Sequence, residues 1–290
     1  MGRNPAGEPI PFNFCHNSVT TLSQLCLDSV MPPILTPTAL RLPLERDVNP
    51  RRVIQGHDGP LEFDEARQTV TKTYERVDHE VAVRLVKREI AHATRLHQAF
   101  ARHDGLYCPR VLTWELSAPP RITMEICAGE PLSRFLRQVD RRDVRSAEIA
   151  AKIHDGLEIY FRLFDEPYHD LCFQNILYDE ATGVLTFLDF DNRIDRNGKG
   201  SALEKSLGNL VGWACYDMAR PSQFFSRRAY VDVIRATLST FEGQVSRRRI
   251  RALARADYVR LTRNGRLARR AYYATAGTAI AALYMSYLGL

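Results

Sequence analysis

The chain has 290 residues, of which 45% are hydrophobic and 26% charged. That is enough apolar material for one large domain or two lobes with a buried core, and it excludes a wholly disordered protein. The formal net charge of +6 is unevenly placed: Ser246 to Arg270 holds ten Arg and one acid, which points to a polyanionic partner or surface, with a solvated helix face as the commoner reading.

Six cysteines (Cys15, Cys26, Cys108, Cys127, Cys172 and Cys215) are scattered, with no C-x-x-C and no Cys/His pair at zinc-ligand spacing. They read as reduced thiols in a cytosolic protein. The start, MGRNPAGEPIPFNF, lacks the apolar run of a signal peptide, and Ala6 stands where a myristoylation pattern needs Ser or Thr.

Residues 1–45 are punctuated by Pro and poor in charge, and they read as an irregular arm. From Arg52 the segments RRVIQG and RQTVTKTYE read as strands, separated by the turn-rich HDGPLEFDEA. Val83, Val86, Ile90, Ala93, Leu96 and Phe100 then recur at helical spacing and predict a helix of about five turns. CPRVLTWEL and RITMEIC predict two more strands around an APP turn, and AGEPLSRFLRQV leaves the sheet for a helix.

SAEIAAKIHDGLEIYFRLF is amphipathic, and His154 on its apolar face reads as a core histidine. A hairpin follows, with Ile176 to Tyr178 and Val184 to Phe190 as strands and EATG as the turn. Beyond about Ala202 the chain reads as helical, without internal repeats. The last twenty residues, Ala271 to Leu290, are uncharged and follow an Arg-rich run, which permits a tail anchor by length. Their Ala, Gly, Thr, Ser and four Tyr are only mildly apolar, so the favoured expectation is a buried or interfacial helix, packing through Tyr272, Ile280, Leu283 and Tyr287.

The stretch YHDLCFQNILYDEATGVLTFLDFD, Tyr168 to Asp191, carries the chemistry. Asn175 at the start of one strand and Asp189 at the end of its antiparallel partner fall at the same end of a hairpin. Magnesium takes hard oxygen ligands, often one or two from protein and the rest from phosphates and water, and that end can supply them. Asp170, in the preceding loop, is placed to accept a proton from an attacking hydroxyl. The bland alternative for all three is turn and capping polarity. Asp191 reads either as a third metal contact or as a group behind the ligands, and His169 as structural.

The order of parts adds to this. A strand Lys (Lys72 in TVTKTY), a helix Glu (Glu89 in VKREIA), the strand and linker MEICAGEPL, and then the Asp-Asn-hairpin-Asp set resemble the protein-kinase-like phosphotransferases over residues from about Arg52 to Ala219. The DFD ending, the GEPL linker and the lack of an A-P-E motif look more like the aminoglycoside and choline kinase branch, or the bacterial lipopolysaccharide Kdo kinase branch. LDFDNR in particular resembles the latter.

The resemblance implies an α+β bilobal fold: an N-terminal arm at 1–45, a small β-rich nucleotide lobe at 46–127, and a larger helical lobe at 128–290. It also implies Asp170 as catalytic base, Asn175 and Asp189 as magnesium ligands, Lys72 on the ATP phosphates with Glu89 as its partner, and Glu125 to Cys127 as the hinge that meets adenine. Gly56 and Gly59 are the glycines available for a phosphate loop, and Asp217 matches an Asp that steadies the catalytic loop. Tyr168 departs from the pattern, since relatives usually carry His there.

The expected function is ATP- and magnesium-dependent phosphorylation of a hydroxyl on a small molecule, sugar or glycolipid. A nucleotide-binding pseudokinase or scaffold and a protein Ser/Thr kinase stay open as alternatives, and a nucleic-acid binder ranks last for want of a reader motif. The expected location is cytoplasmic, with Arg247 to Arg270 as a candidate contact to an anionic membrane surface.

Overall fold

The structure, a computed structural model, describes residues 51–55, 58–138, 145–190, 199–219, 228–263 and 273–290. The expected arm at 1–45, Gly56, Asp191 and Tyr272 lie outside these residues. The architecture is mixed α+β, with a β-rich part followed by a mostly helical one.

Strands β1 (Arg51–Gln55), β2 (Pro60–Asp64) and β3 (Thr69–Thr73) form an antiparallel meander. β2 corrects the sequence reading, which took HDGPLEFDEA for a turn. Its opening Gly59 and Pro60 are turn residues, yet LEFD pairs on both edges, and that pairing overrides local composition. The sheet is completed by β5 (Val111–Glu115) and β6 (Arg121–Glu125), in the order β1-β2-β3-β6-β5.

Helix α1 (His79–Phe100) crosses between β3 and β5 in the chain. Asp78 caps it, its carboxylate accepting from the Glu80 and Val81 amides at 3.0 and 3.4 Å, which satisfies two of the free donors of the first turn. The buried stripe runs through Leu85, Val86, Glu89, His92, Ala93, Leu96 and Phe100, while Val83 and Ile90 are only partly buried. Two polar residues therefore sit on the inward face, a departure from simple apolar periodicity that the site explains.

A second sheet takes β4 (Leu106–Tyr107), β7 (Glu130–Pro131), β8 (Ile176–Asp179) and β9 (Val184–Phe187), in the order β4-β9-β8-β7. β4 and β7, two residues each, are too short to leave a periodicity and were not expected. β8 and β9 form the anticipated hairpin, with Ile176 opposite Phe187.

The helices are α2 (Leu132–Gln138), α3 (Ser146–Phe164), α4 (Ala202–Met218), α5 (Arg228–Thr240), α6 (Arg247–Arg263), a π-helical turn at Tyr273–Gly277, and α7 (Thr278–Tyr287). Buried apolar residues fall into two clusters. The smaller one joins Tyr74 and Ile122 of the β-rich part to Ala82, Leu85 and Val86 of α1. The larger one takes Ala93, Leu96 and Phe100 together with the helices and the hairpin. α1 thus belongs to both, so its position is set by each at once.

α4 starts with a reciprocal cap between Ser201 and Glu204, and it is buried along nearly its whole length. His154 on α3 is half-buried against the Phe241 ring, with its nitrogens near Asp155 and Glu158. Cys108, Cys172 and Cys215 are buried free thiols, and Cys127 is a half-buried one.

The C-terminal helix keeps one expected contact, with Ile280 half-buried against the core, and otherwise packs on a different face from the one expected. Ala281, Met285 and Leu288 are buried, whereas Leu283 is 71% and Tyr287 50% exposed. The π turn widens the spacing at the helix start, and the small Ala281 brings its backbone within 3.9 Å of Cys215 Sγ on α4. No helix among the described residues is long and apolar enough to cross a membrane.

Candidate functional site

The site begins with the loop between α3 and β8. Asp165 ends α3 in a left-handed conformation (φ 49°) with its amide on the Phe161 carbonyl, and the chain turns toward Tyr168. α4 holds the loop at three places. Ser206 Oγ accepts from the Tyr168 amide at 2.8 Å, the Asn209 side-chain amide donates to the Leu171 carbonyl at 3.1 Å, and Asp217 accepts from the Gln174 side-chain amide. All three α4 residues are at least 98% buried, so these bonds are shielded from water. Of the three, only Asp217 was anticipated.

Within the loop the Asn175 side-chain amide nitrogen donates to the Asp170 carbonyl at 3.0 Å. This fixes the expected catalytic Asp and the expected metal ligand relative to each other, and it leaves the Asn175 Oδ1 as the end of the amide available to a cation. The Leu188 amide donates to the Asn175 carbonyl at 2.9 Å, extending the hairpin by one pair beyond Ile176 and Phe187. Asn175 and Asp189 therefore do stand at the same end of the hairpin.

Asp189 has φ 64°, a left-handed backbone that costs a non-glycine residue about 1–2 kcal/mol. Non-glycine residues held in that region cluster at functional sites, because surrounding structure must enforce them. Here the enforcement is visible on both sides. Lys72 Nζ of β3 donates to Asp189 Oδ1 at 2.9 Å, with both side chains more than four-fifths buried. The next amide, Phe190 N–H, donates to Glu89 Oε2 of α1 at 3.0 Å. Lys72 and Glu89, distant in sequence from the hairpin, converge on consecutive residues of it, which accounts for the buried Glu89.

His92, one turn further along α1, supports the same junction. Its ring stacks on Phe164 at 4.0 Å, and Nε2 lies 2.5 Å from Glu166, which Arg88 also meets at 2.6 Å. Desolvation lowers the His92 pKa despite the carboxylate, and the Arg88 charge acts in the same direction.

Tyr168 is fully buried. Its hydroxyl donates to the Leu188 carbonyl, and its ring packs between Tyr160 and Phe190 at 5.1 and 5.3 Å. Burial first, and then the Asp189 charge, push its pKa well up, so it stays a neutral donor. Nothing local in the sequence marks this role, since Leu188 is twenty positions away.

The expected hinge residues Glu125 to Cys127 connect β6 to β7. The Glu125 carboxylate is engaged by the Tyr107 hydroxyl at 2.5 Å and the Arg110 amide at 2.7 Å. The Ile126 amide donates to the Gln68 carbonyl at 2.9 Å, which ties the β2–β3 turn to this connection. Gly59 has φ 152°, and a Cβ there would lie 2.1 Å from the Thr73 carbonyl oxygen, so only glycine fits beside β3.

The donor set at the hairpin end suits magnesium: a carboxylate and an amide carbonyl, both hard oxygens. Among the described residues no group of three or more His, Cys, Asp or Glu is arranged for a metal, so an ion held by Asn175 and Asp189 would take its remaining ligands from phosphate and water. No protein-family model and no curated protein matches the chain.

Proposed function

We propose that the chain is an ATP- and magnesium-dependent phosphotransferase acting on a hydroxyl of a small molecule, sugar or glycolipid, with a bilobal protein-kinase-like fold. The observation that carries this reading is the convergence on the hairpin end: a strand lysine meets Asp189, a helix glutamate meets Phe190, and the Asp170–Asn175 loop meets the adjoining Leu188, from three separate elements. The sequential order of those elements is the one the family resemblance implies. A structural ion pair alone would not require the left-handed Asp189 or the amide lock between Asn175 and Asp170.

In this reading Asn175 and Asp189 would hold magnesium, which would supply positive charge against the triphosphate. Lys72, which holds Asp189 in this structure, would turn to phosphate oxygens when nucleotide binds, and the Asp189 carboxylate would then be available as a ligand. Asp170 orients the acceptor hydroxyl and takes its proton as that oxygen bonds to the γ-phosphorus and the bond to the β–γ bridging oxygen breaks, leaving ADP. The protein's contribution is mostly positioning, which the three contacts from α4 to the loop provide.

The test is turnover with ATP and magnesium across sugars, aminoglycosides and lipid-A fragments. Asp170→Ala should lower turnover by about 10²–10⁴-fold while ATP still binds, and Asp189→Ala should remove the magnesium dependence of ATP affinity. Full turnover in Asp170→Ala would sink the assignment. ATP binding with no turnover on any acceptor would instead favour the pseudokinase reading.

A further inference from the structure

Helices α6 and α7 both pack on α4, and α6 is tied to the C-terminal segment at two places. Arg247 donates to the Gly289 carbonyl at 3.4 Å, just beyond α7, and the Tyr258 hydroxyl to the Tyr273 carbonyl of the π turn at 3.4 Å. Arg251 and Arg255 follow Arg247 by four and eight positions, with Tyr258 at eleven, so all share the flank of α6 that reaches the C-terminal segment through Arg247 and Tyr258. Arg248 adjoins them on the solvent side. Arg248, Arg251 and Arg255 are exposed, and none has a hydrogen bond or ion pair among the described residues. By contrast Arg249 is spent on buried Glu204 and Arg260 on Asp257.

The outward side of α7 has the opposite character. Among its described residues it carries no charge, and Leu283 and Tyr287 are its large exposed groups. Arg235 of α5 lies over the Tyr287 ring at 3.9 Å and donates to its carbonyl at 2.6 Å, which holds that ring at the surface. An unpaired basic flank therefore borders an uncharged shelf with an aliphatic and an aromatic group at its outer edge.

We propose that this α6–α7 face docks the protein onto an anionic lipid bilayer, lying in the headgroup region without crossing it. The arginines match lipid phosphates and carboxylates, and Leu283 and Tyr287 match the boundary between headgroups and acyl chains. A nucleic acid would use the arginines but leave Leu283 facing water, so charge and apolarity together favour the bilayer. The inference does not depend on phosphotransfer.

The experiment is co-sedimentation of the full chain with phosphatidylcholine vesicles, with and without phosphatidylserine, over a salt series. Binding should require phosphatidylserine and weaken as salt rises. Each basic residue near an anionic surface strengthens binding about fivefold, so R248Q/R251Q/R255Q should lose on the order of a hundredfold. L283S/Y287S should weaken the part of binding that salt does not remove. All five positions are exposed, and an unchanged thermal melt will show that the variants fold. The proposal is overturned by any of four results: no binding to phosphatidylserine vesicles, equal binding to neutral ones, an unaffected triple variant, or arginine-dependent binding of single-stranded RNA without vesicle binding.

Discussion

Replacing Tyr168 by Phe removes one oxygen atom from the interior and leaves the ring in place. In the wild type that hydroxyl donates to the Leu188 carbonyl, inside a stack formed with Tyr160 and Phe190. A hydrogen bond of this kind contributes about 1 kcal/mol net, and leaving a buried carbonyl without a donor raises the cost to about 1–3 kcal/mol. Tyr168 itself is fully buried, and Leu188 is half-buried. We therefore expect a loss of about 2 kcal/mol. Urea denaturation should show a lower midpoint with an unchanged slope, because the surface exposed on unfolding is the same. The effect should also reach the site, since Leu188 precedes the left-handed Asp189: under the proposed function, magnesium-dependent ATP affinity falls in Tyr168→Phe. A variant with the wild-type urea midpoint would refute the view that this hydroxyl holds the hairpin end to the loop.

Glu204 gives a prediction in pH. Burial raises its pKa, but the Ser246 and Ser201 amides and the Arg249 guanidinium more than offset this, so its folded value lies below the ordinary one. Its stabilisation is fully present above the unfolded value of about 4.3 and is lost as pH falls through the folded value; the difference in urea midpoint between wild type and Glu204→Gln should shrink across that acidic window, and a constant difference would count against it. Gly129, between the hinge and β7, has φ 100°, and a Cβ would stand 2.7 Å from the Tyr178 backbone. Gly129→Ala should cost about 2 kcal/mol or more in thermal or urea denaturation, combining left-handed strain with a backbone clash, and an unchanged melting temperature would contradict it.

The parts of this molecule that were legible in sequence are those with local signatures. α1 shows its period, the hairpin shows its turn, and the Asp170, Asn175 and Asp189 spacing follows from strand pairing. What escaped depends on partners far along the chain. β2 is made a strand by both its neighbours, and Ser206, Asn209 and Tyr168 acquire their roles only when α4 and Leu188 arrive. The C-terminal face was misjudged for a related reason. In a run without a single charged residue, 3.6-residue periodicity cannot choose a side, and close approach of small Ala281 to α4 decided it instead of the larger Leu283.

The bond from the Phe190 amide to Glu89 has a further consequence. Most backbone amides in the hairpin are protected by neighbouring strands, and their exchange with solvent reports on unravelling of that sheet. Phe190 is protected by a side chain from α1, a helix shared with the β-rich part. Its hydrogen therefore becomes exchangeable whenever α1 pulls back, even if the hairpin itself stays intact. This single amide is a built-in gauge of how often α1 parts from the hairpin end, readable without any label.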